Sequence, residues 1–181
     1  MDKTRGLIKY RMETNLIVIE SLKESLLKLI AEKPYDKITI MELCQKAGVS
    51  RMGFYGNFKT KHDIIKKIVL DINMELVDKL GSPFRNSTDS NWYYKVIEFV
   101  KEKSPELLLL FDAGFFYEYL DMMNKIVLRD SDLPSESKYK RIVWSGGIIN
   151  AITYWLTTGM KESVEDMTNY LSDNLKCWSF D

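Results

Sequence analysis

Two helix starts, Thr39 and Ser50, bracket a single glycine, Gly48, and this spacing constrains the fold more than any other feature of the 181-residue chain. Thr39-Ile40-Met41-Glu42 has the form of a capping box, in which a threonine and a glutamate satisfy free amides at a helix start. Gly48 follows Ala47 and suits a tight turn, because glycine tolerates positive φ. Ser50 is a good N-cap for a second short helix, reaching to about Asn57. Ile38, Ile40, Leu43, Ala47, Val49, Phe54 and Phe58 can then face one small core. Small Ala47 lets the two helices approach closely. This is the pattern of a helix-turn-helix, whose second helix lies in the DNA major groove. An ordinary helix pair with a glycine turn has the same spacing, so the exposed residues must decide between them.

Those residues favour DNA. Ser50 places amide and hydroxyl donors at a helix start, where they can face a phosphate. Arg51 is long enough to reach a base edge, and a bidentate arginine contact to guanine is the commonest specific pairing. Tyr55 lies one turn later and can donate its phenol to a phosphate oxygen. Lys59 and Lys61 flank the next helix start and can neutralise the backbone. The chain has no net charge, yet residues 1–67 hold 14 Lys+Arg against 8 Asp+Glu, and residues 68–181 hold 12 against 18. A polyanion is attracted to the first part and repelled by the second.

The rest of the sequence reads as helix. Leu22, Leu26, Leu29 and Ile30 follow the spacing of one apolar helical face, and Pro34 stops that helix. A longer helix runs from about Lys61 to Leu80, closed by Gly81-Ser82-Pro83. A polar stretch then leads to Ser90. Further helices are expected near 90–102, 105–129, 136–158 and 163–178. No strand-period segment stands out. The expected architecture is all-α: an N-terminal three-helix DNA-binding domain (1–66) with a helix-turn-helix, joined by a long helix to a C-terminal helical bundle (67–181).

Several classes drop out. One histidine and two distant cysteines, Cys44 and Cys177, cannot supply the clustered ligands of a structural zinc site, and no metal or cofactor is expected. Two lone cysteines make no disulfide framework, and the charged start is no signal peptide, so the cytoplasm is the expected compartment. Ile142–Met160 is 19 residues without charge, but its glycines, threonines, serine and asparagine make it too polar to face lipid. No membrane partner is expected. A helix buried on two sides by protein suits this stretch.

Ile38-Thr39-Ile40 through Ala47-Gly48-Val49-Ser50-Arg51, then Phe54-Tyr55, Phe58-Lys59 and Lys61, resembles the DNA-binding domain of TetR-family transcriptional regulators. Glu32-Lys33-Pro34-Tyr35-Asp36-Lys37 is similar to that family's link between first and second helices. The likeness covers about residues 20–66. It implies a homodimer, an operator site on double-stranded DNA, a repressor role, and a C-terminal domain that often takes a small effector. By resemblance the DNA contacts fall on Thr39, Ser50, Arg51, Met52, Gly53, Tyr55, Asn57, Lys59 and Lys61. The chain departs from the family pattern at three positions. Gly53 stands where threonine, serine or alanine is usual, Gly56 where a larger residue is usual, and Asn57 where histidine is usual. Base readout then rests on Arg51 and on Met52, whose apolar chain suits a thymine methyl.

The acidic part is rich in rings: 16 of the 22 aromatic residues lie between Trp92 and Phe180. Such rings build a bundle core, and some can line an apolar pocket for a small apolar or aromatic effector. Individual effector contacts are not identifiable from sequence. The uncharged 142–160 helix and the last helix are expected to pair with those of a second subunit, through Ile148, Ile152, Trp155, Tyr170 and Leu171. Two other classes stand beside the regulator: a family-like interaction protein that no longer reads DNA, and a small helical enzyme. No nucleophile motif, phosphate loop or histidine pair supports catalysis, and no catalytic residue is assigned.

Overall fold

The computed structural model describes residues 3–129 and 133–175, so Cys177, Phe180 and the end of the expected 163–178 helix lie outside the described residues. These residues form α-helices joined by turns, with no strand among them. In chain order they are α1 (Lys3–Glu32), α2 (Ile40–Ala47), α3 (Arg51–Tyr55), α4 (Lys61–Leu80), α5 (Ser90–Glu102), α6 (Ser104–Asp112), α7 (Phe116–Val127), α8 (Ser135–Thr157) and α9 (Val164–Leu175). Single 3-10 turns occupy Tyr35–Lys37 and Pro83–Arg85. The chain divides into two compact units, Met1–Ile68 and Val69–Asp181, with the division falling inside α4.

In the first unit, α1 lays Leu22, Leu26 and Leu29 against Leu43 of α2 and Phe54 of α3, all buried. Thr39 caps α2, its hydroxyl accepting from the Glu42 amide at 3.2 Å. Gly48 closes α2 in the left-handed region (φ 65, ψ 25), and its N–H returns to the Cys44 and Gln45 carbonyls. A side chain at this φ would strain the backbone. Cys44 is buried, and burial pushes its thiol above the ordinary value. Ile38, Leu43, Phe54 and Phe58 are core, while Ile40, Ala47 and Val49 are half-buried at its edge.

In the second unit the single helix expected over 105–129 is two. Gly114 takes φ 87, and Ala113-Gly114-Phe115 turns the chain between α6 and α7. Phe115 then tucks into the core. The turn puts Asp112 on a different helix from Glu118 and Asp121, and Asp121 pairs with Lys125 one turn on. The core gathers Trp92, Tyr93, Ile97, Leu110, Trp144, Trp155 and Leu156. Most of its ring polar atoms are satisfied: Tyr93 Oη donates to the Ser87 carbonyl at 2.8 Å, and Trp144 Nε1 donates to Tyr93 Oη at 3.2 Å. No helix of the described residues is long and apolar enough to cross a membrane, α8 included.

The self-association residues fall into two groups. Ile148, Trp155 and Leu171 are buried within the chain itself, and Trp155 Nε1 donates to the Glu162 carbonyl at 3.0 Å. Ile152 is half-buried and lines an internal cavity. Trp155 and Leu171 also line the floor of an open groove between α8 and α9. Tyr170 alone of the five is exposed. The reason is register: the uncharged 142–160 stretch supplies the core of its own unit with one face and turns a different set of residues outward.

Candidate nucleic-acid interface

The turn between α2 and α3 brings the exposed polar residues of the motif to one end of the first unit. Ser50 has extended backbone (φ -69, ψ 155) and caps α3, its Oγ accepting from the Gly53 amide at 3.0 Å. Its hydroxyl proton stays available to an outside acceptor. Arg51, Met52 and Tyr55 follow on α3 and face solvent, Met52 at 84% exposure. An apolar side chain so exposed has no role in the core. Tyr55 is 59% exposed, yet its ring stands edge-on to buried Phe54 with centroids 5.1 Å apart. That contact fixes the ring while leaving the phenol outward. Lys59 and Thr39 are also exposed.

Charge pairing separates the outer face from the inner one. Lys33 pairs with Glu42, and Lys46 with Glu32, so the cations that tie α1 to α2 are neutralised inside the unit. Lys33 also holds the Glu42 carboxyl below its usual range, with the Thr39 backbone amide adding to the effect. Arg51 and Lys59 have no ion pair among the described residues. Their charge is free to meet a polyanion.

Four residues behave differently from the sequence expectation. Lys61 is half-buried and turned inward. Its Nζ donates to the Tyr35 carbonyl at 2.6 Å and the Ile38 carbonyl at 2.8 Å, and it lies 4.0 Å from the Tyr35 ring centroid. Burial pulls its ammonium below the ordinary lysine value, with the Asp36 charge opposing. Lys61 is thus a clasp between α4 and the turn before α2. Asn57 Nδ2 donates to the Gly53 carbonyl at 2.9 Å, so this amide closes the end of α3. A Cβ on Gly53 would meet Val49 Cγ1 at 3.0 Å, and one on Gly56 would meet the Met52 carbonyl at 3.2 Å. Both glycines therefore fit crowding within α2–α3. A side chain at Gly53 would need the Val49 methyl to give by a few tenths of an ångström, and α3 ends at Tyr55, two residues earlier than expected.

Replacing the clasp is expected to cost stability. Lys61→Met removes two charged hydrogen bonds and leaves the Ile38 carbonyl without its donor, while the Tyr35 carbonyl keeps the Ile38 amide at 3.0 Å. The loss is expected at about 1–3 kcal/mol, read as a lowered denaturant midpoint. An unchanged midpoint would return Lys61 to the solvent-facing group.

The start of α4 carries a cap that the sequence expectation did not include. Thr60 and Asp63 form a second reciprocal cap at the start of α4. Asp63 Oδ2 accepts from the Thr60 amide at 2.8 Å and the Lys59 amide at 3.1 Å, and the Asp63 amide donates to Thr60 Oγ1 at 3.3 Å. The Thr60 amide is the first cause that lowers the Asp63 pKa, against partial burial. The spacing Thr60-Lys61-His62-Asp63 is the same signal that marks Thr39–Glu42. Asp63 is depressed on folding, so its contribution is complete above the unfolded carboxylate pKa of about 3.9. It is lost as pH falls through the lower folded value. Stability is expected to be level near neutrality and to fall below about pH 4, and Asp63→Asn is expected to flatten that acid limb. A variant with the same acid slope as the wild type would assign the slope to other carboxylates.

A family model described as "Bacterial regulatory proteins, tetR family" matches residues 24–68, the segment that holds α2, α3 and the clasp. Among curated proteins none matches the chain. The fold is similar to that of a TetR transcriptional regulator from Streptococcus agalactiae 2603V, with a TM-score of 0.63 over 93% of this chain and 98% of the other. At 17% identity that likeness speaks to the fold. The two findings agree in place and in kind: residues 24–68 match the tetR family of bacterial regulatory proteins, and the all-α fold over 93% of the chain is similar to that of a TetR transcriptional regulator.

Proposed function

We propose that the protein is a cytoplasmic, sequence-specific repressor that binds an operator as a homodimer and that a small apolar or aromatic effector alters its DNA affinity. The observation that carries the DNA part is the unpaired, outward cluster on α3. Arg51 and Met52 reach base edges, with Arg51 supplying hydrogen-bond discrimination and Met52 apolar contact. Ser50, Tyr55, Lys59 and Thr39 hold phosphates and set the register. Gly53 and Asn57 shape the end of α3, and Lys61 steadies the turn before α2.

The homodimer rests on the outward face of α8 and α9. Tyr154 and Tyr170 are 71% and 59% exposed, and Val143 is 58% exposed. Gly147, Ala151, Tyr154 and Tyr170 border an open groove of about 420 Å³ between the two helices. Gly147 and Ala151 are one turn apart, so a second helix can approach closely there. A twofold dimer would present two α3 helices to successive major grooves, which suits the charge division of the chain.

The test is a titration of the full-length protein against fragments of its own genome at several salt concentrations. A small set of fragments is expected to bind far more tightly than the rest, with affinity falling steeply as salt rises through counterion release. Equal affinity for all fragments at every salt concentration would favour a non-specific or protein-binding role.

A further inference from the structure

Met52 is the most exposed large apolar side chain among the described residues, at 84%. It stands two positions before buried Phe54, about 200° around the helix, so it faces away from the core. Gly56 stands two positions after Phe54 and is exposed on the same side, one turn on from Met52. Neither Gly53 nor Gly56 has a side chain to set beside it. Arg51 precedes Met52, exposed and without an ion pair among the described residues. The polar side chains around them are short or engaged. Ser50 Oγ accepts from the Gly53 amide, Asn57 Nδ2 donates to the Gly53 carbonyl, and the Tyr55 ring is held against Phe54. The long, uncommitted side chains of α3 are therefore Arg51 and Met52, and they are neighbours.

Their chemistry differs in a way that base edges can match. The guanidinium fork fits the two acceptors of guanine, O6 and N7. Methionine has no N–H or O–H and only a weak acceptor in its sulfur, so it cannot read a hydrogen-bonding pattern. In the major groove the apolar feature on offer is the thymine C5-methyl. The unbranched thioether chain adapts its shape to such a contact. A lone exposed apolar residue is common and needs no partner. Met52 is distinguished by its unpaired cationic neighbour, which supplies the charge complement to DNA at the same point. Spacing then sets the reach. Consecutive Cα atoms are about 3.8 Å apart, and successive phosphates of one strand are about 3.4 Å apart. Two consecutive residues of α3 thus serve neighbouring base pairs.

We infer that direct base reading by α3 is confined to one step of each half-site, a guanine with a thymine at the neighbouring base pair, with Arg51 on the guanine and Met52 on the thymine methyl. The inference rests on the operator reading above and names the DNA feature that this site selects. Beyond that step α3 presents the side-chain-free surface of Gly53 and Gly56, which meets DNA through shape and not through base edges. Burying one methyl against Met52 is worth about a fourfold gain in affinity per half-site. Met52 is thus a specificity-determining residue, and its contribution depends on a single methyl group.

The test uses the full-length protein and the genomic fragment that it binds most tightly. The fragment is synthesised with single thymines replaced by deoxyuridine, which lacks only the methyl, or with single guanines replaced by 7-deazaguanine, which lacks N7. In the wild type a thymine in each half-site is expected to matter by about fourfold, and the guanine at the adjacent base pair by about tenfold. Met52→Ala is expected to lose the thymine dependence and keep the guanine dependence. Arg51→Ala is expected to lose the guanine dependence. Met52→Leu keeps an apolar end and is expected to retain both. A flat deoxyuridine scan on a selectively bound fragment overturns the inference. So does a thymine dependence that is unchanged in Met52→Ala, or a sensitive thymine that is not adjacent to the sensitive guanine. Each of these outcomes leaves the regulator reading standing, whereas a protein that prefers no fragment overturns both. The scan of the wild-type protein decides the matter even if a variant fails to fold.

Discussion

Ala151→Arg is expected to turn the protein into a monomer at micromolar concentration and to weaken operator binding by about a hundredfold or more. Ala151 is half-buried on α8 and borders the groove beside Gly147, Tyr154 and Tyr170. A guanidinium there would meet its own symmetry copy, adding like charge and bulk at the point where two helices must come closest. A twofold operator is held by two reading helices, and a monomer keeps only one. The second contact then costs a separate binding event, which is the origin of the large factor. Ile148→Glu would not serve as the same test. Ile148 is 8% exposed and lines the internal cavity, so a carboxylate at that position would disrupt the fold of its own unit. Sedimentation velocity on Ala151→Arg, with circular dichroism to show retained helix, separates assembly from folding. A variant that stays dimeric would move the interface away from this groove.

Arg51→Ala is expected to lower the preference for operator over random DNA by about ten- to a hundredfold. Arg51 is exposed at the first position of α3 and has no ion pair among the described residues, so its removal leaves the core intact. Random DNA should lose far less, because a single phosphate contact is replaced there by others along the backbone. Lys59→Ala supplies the contrast: it should weaken operator and random DNA about equally and make the salt slope shallower by about one. If Arg51→Ala and Lys59→Ala gave the same pattern, Arg51 would be a phosphate ligand, and specificity would lie in Met52 or in DNA shape.

The helix-turn-helix was legible because its signals are local. A capping threonine, a left-handed glycine and a capping serine each act within four residues, and the structure uses all three as the sequence implies. The direction of Lys61 was not legible. Whether a lysine at a helix start faces water or reaches back to carbonyls 23 and 26 residues earlier depends on tertiary placement. Local spacing carries no trace of that. The α6–α7 break was hidden for a related reason: Gly114 sits in an apolar run whose period continues across it, and only packing forces the positive φ. The Thr60–Asp63 cap has a local signal too, the same spacing as Thr39–Glu42. The outward face of α8 was the hardest to read. In a stretch without charge, apolar residues occupy both faces, so periodicity cannot say which of them serve their own core. Buried Trp155 and exposed Tyr154 are adjacent in sequence and opposite in role.

The most direct test of the account is a footprint of the wild-type protein on its own genomic DNA at low salt. The account predicts a protected site with twofold symmetry, its half-sites centred one helical turn, about 34–36 Å, apart or a multiple of that distance. Site-specific protection should stand out from random DNA about ten- to a hundredfold less in Arg51→Ala and should need about a hundredfold more protein in Ala151→Arg. Uniform or absent protection by a folded, dimeric wild-type protein would contradict it.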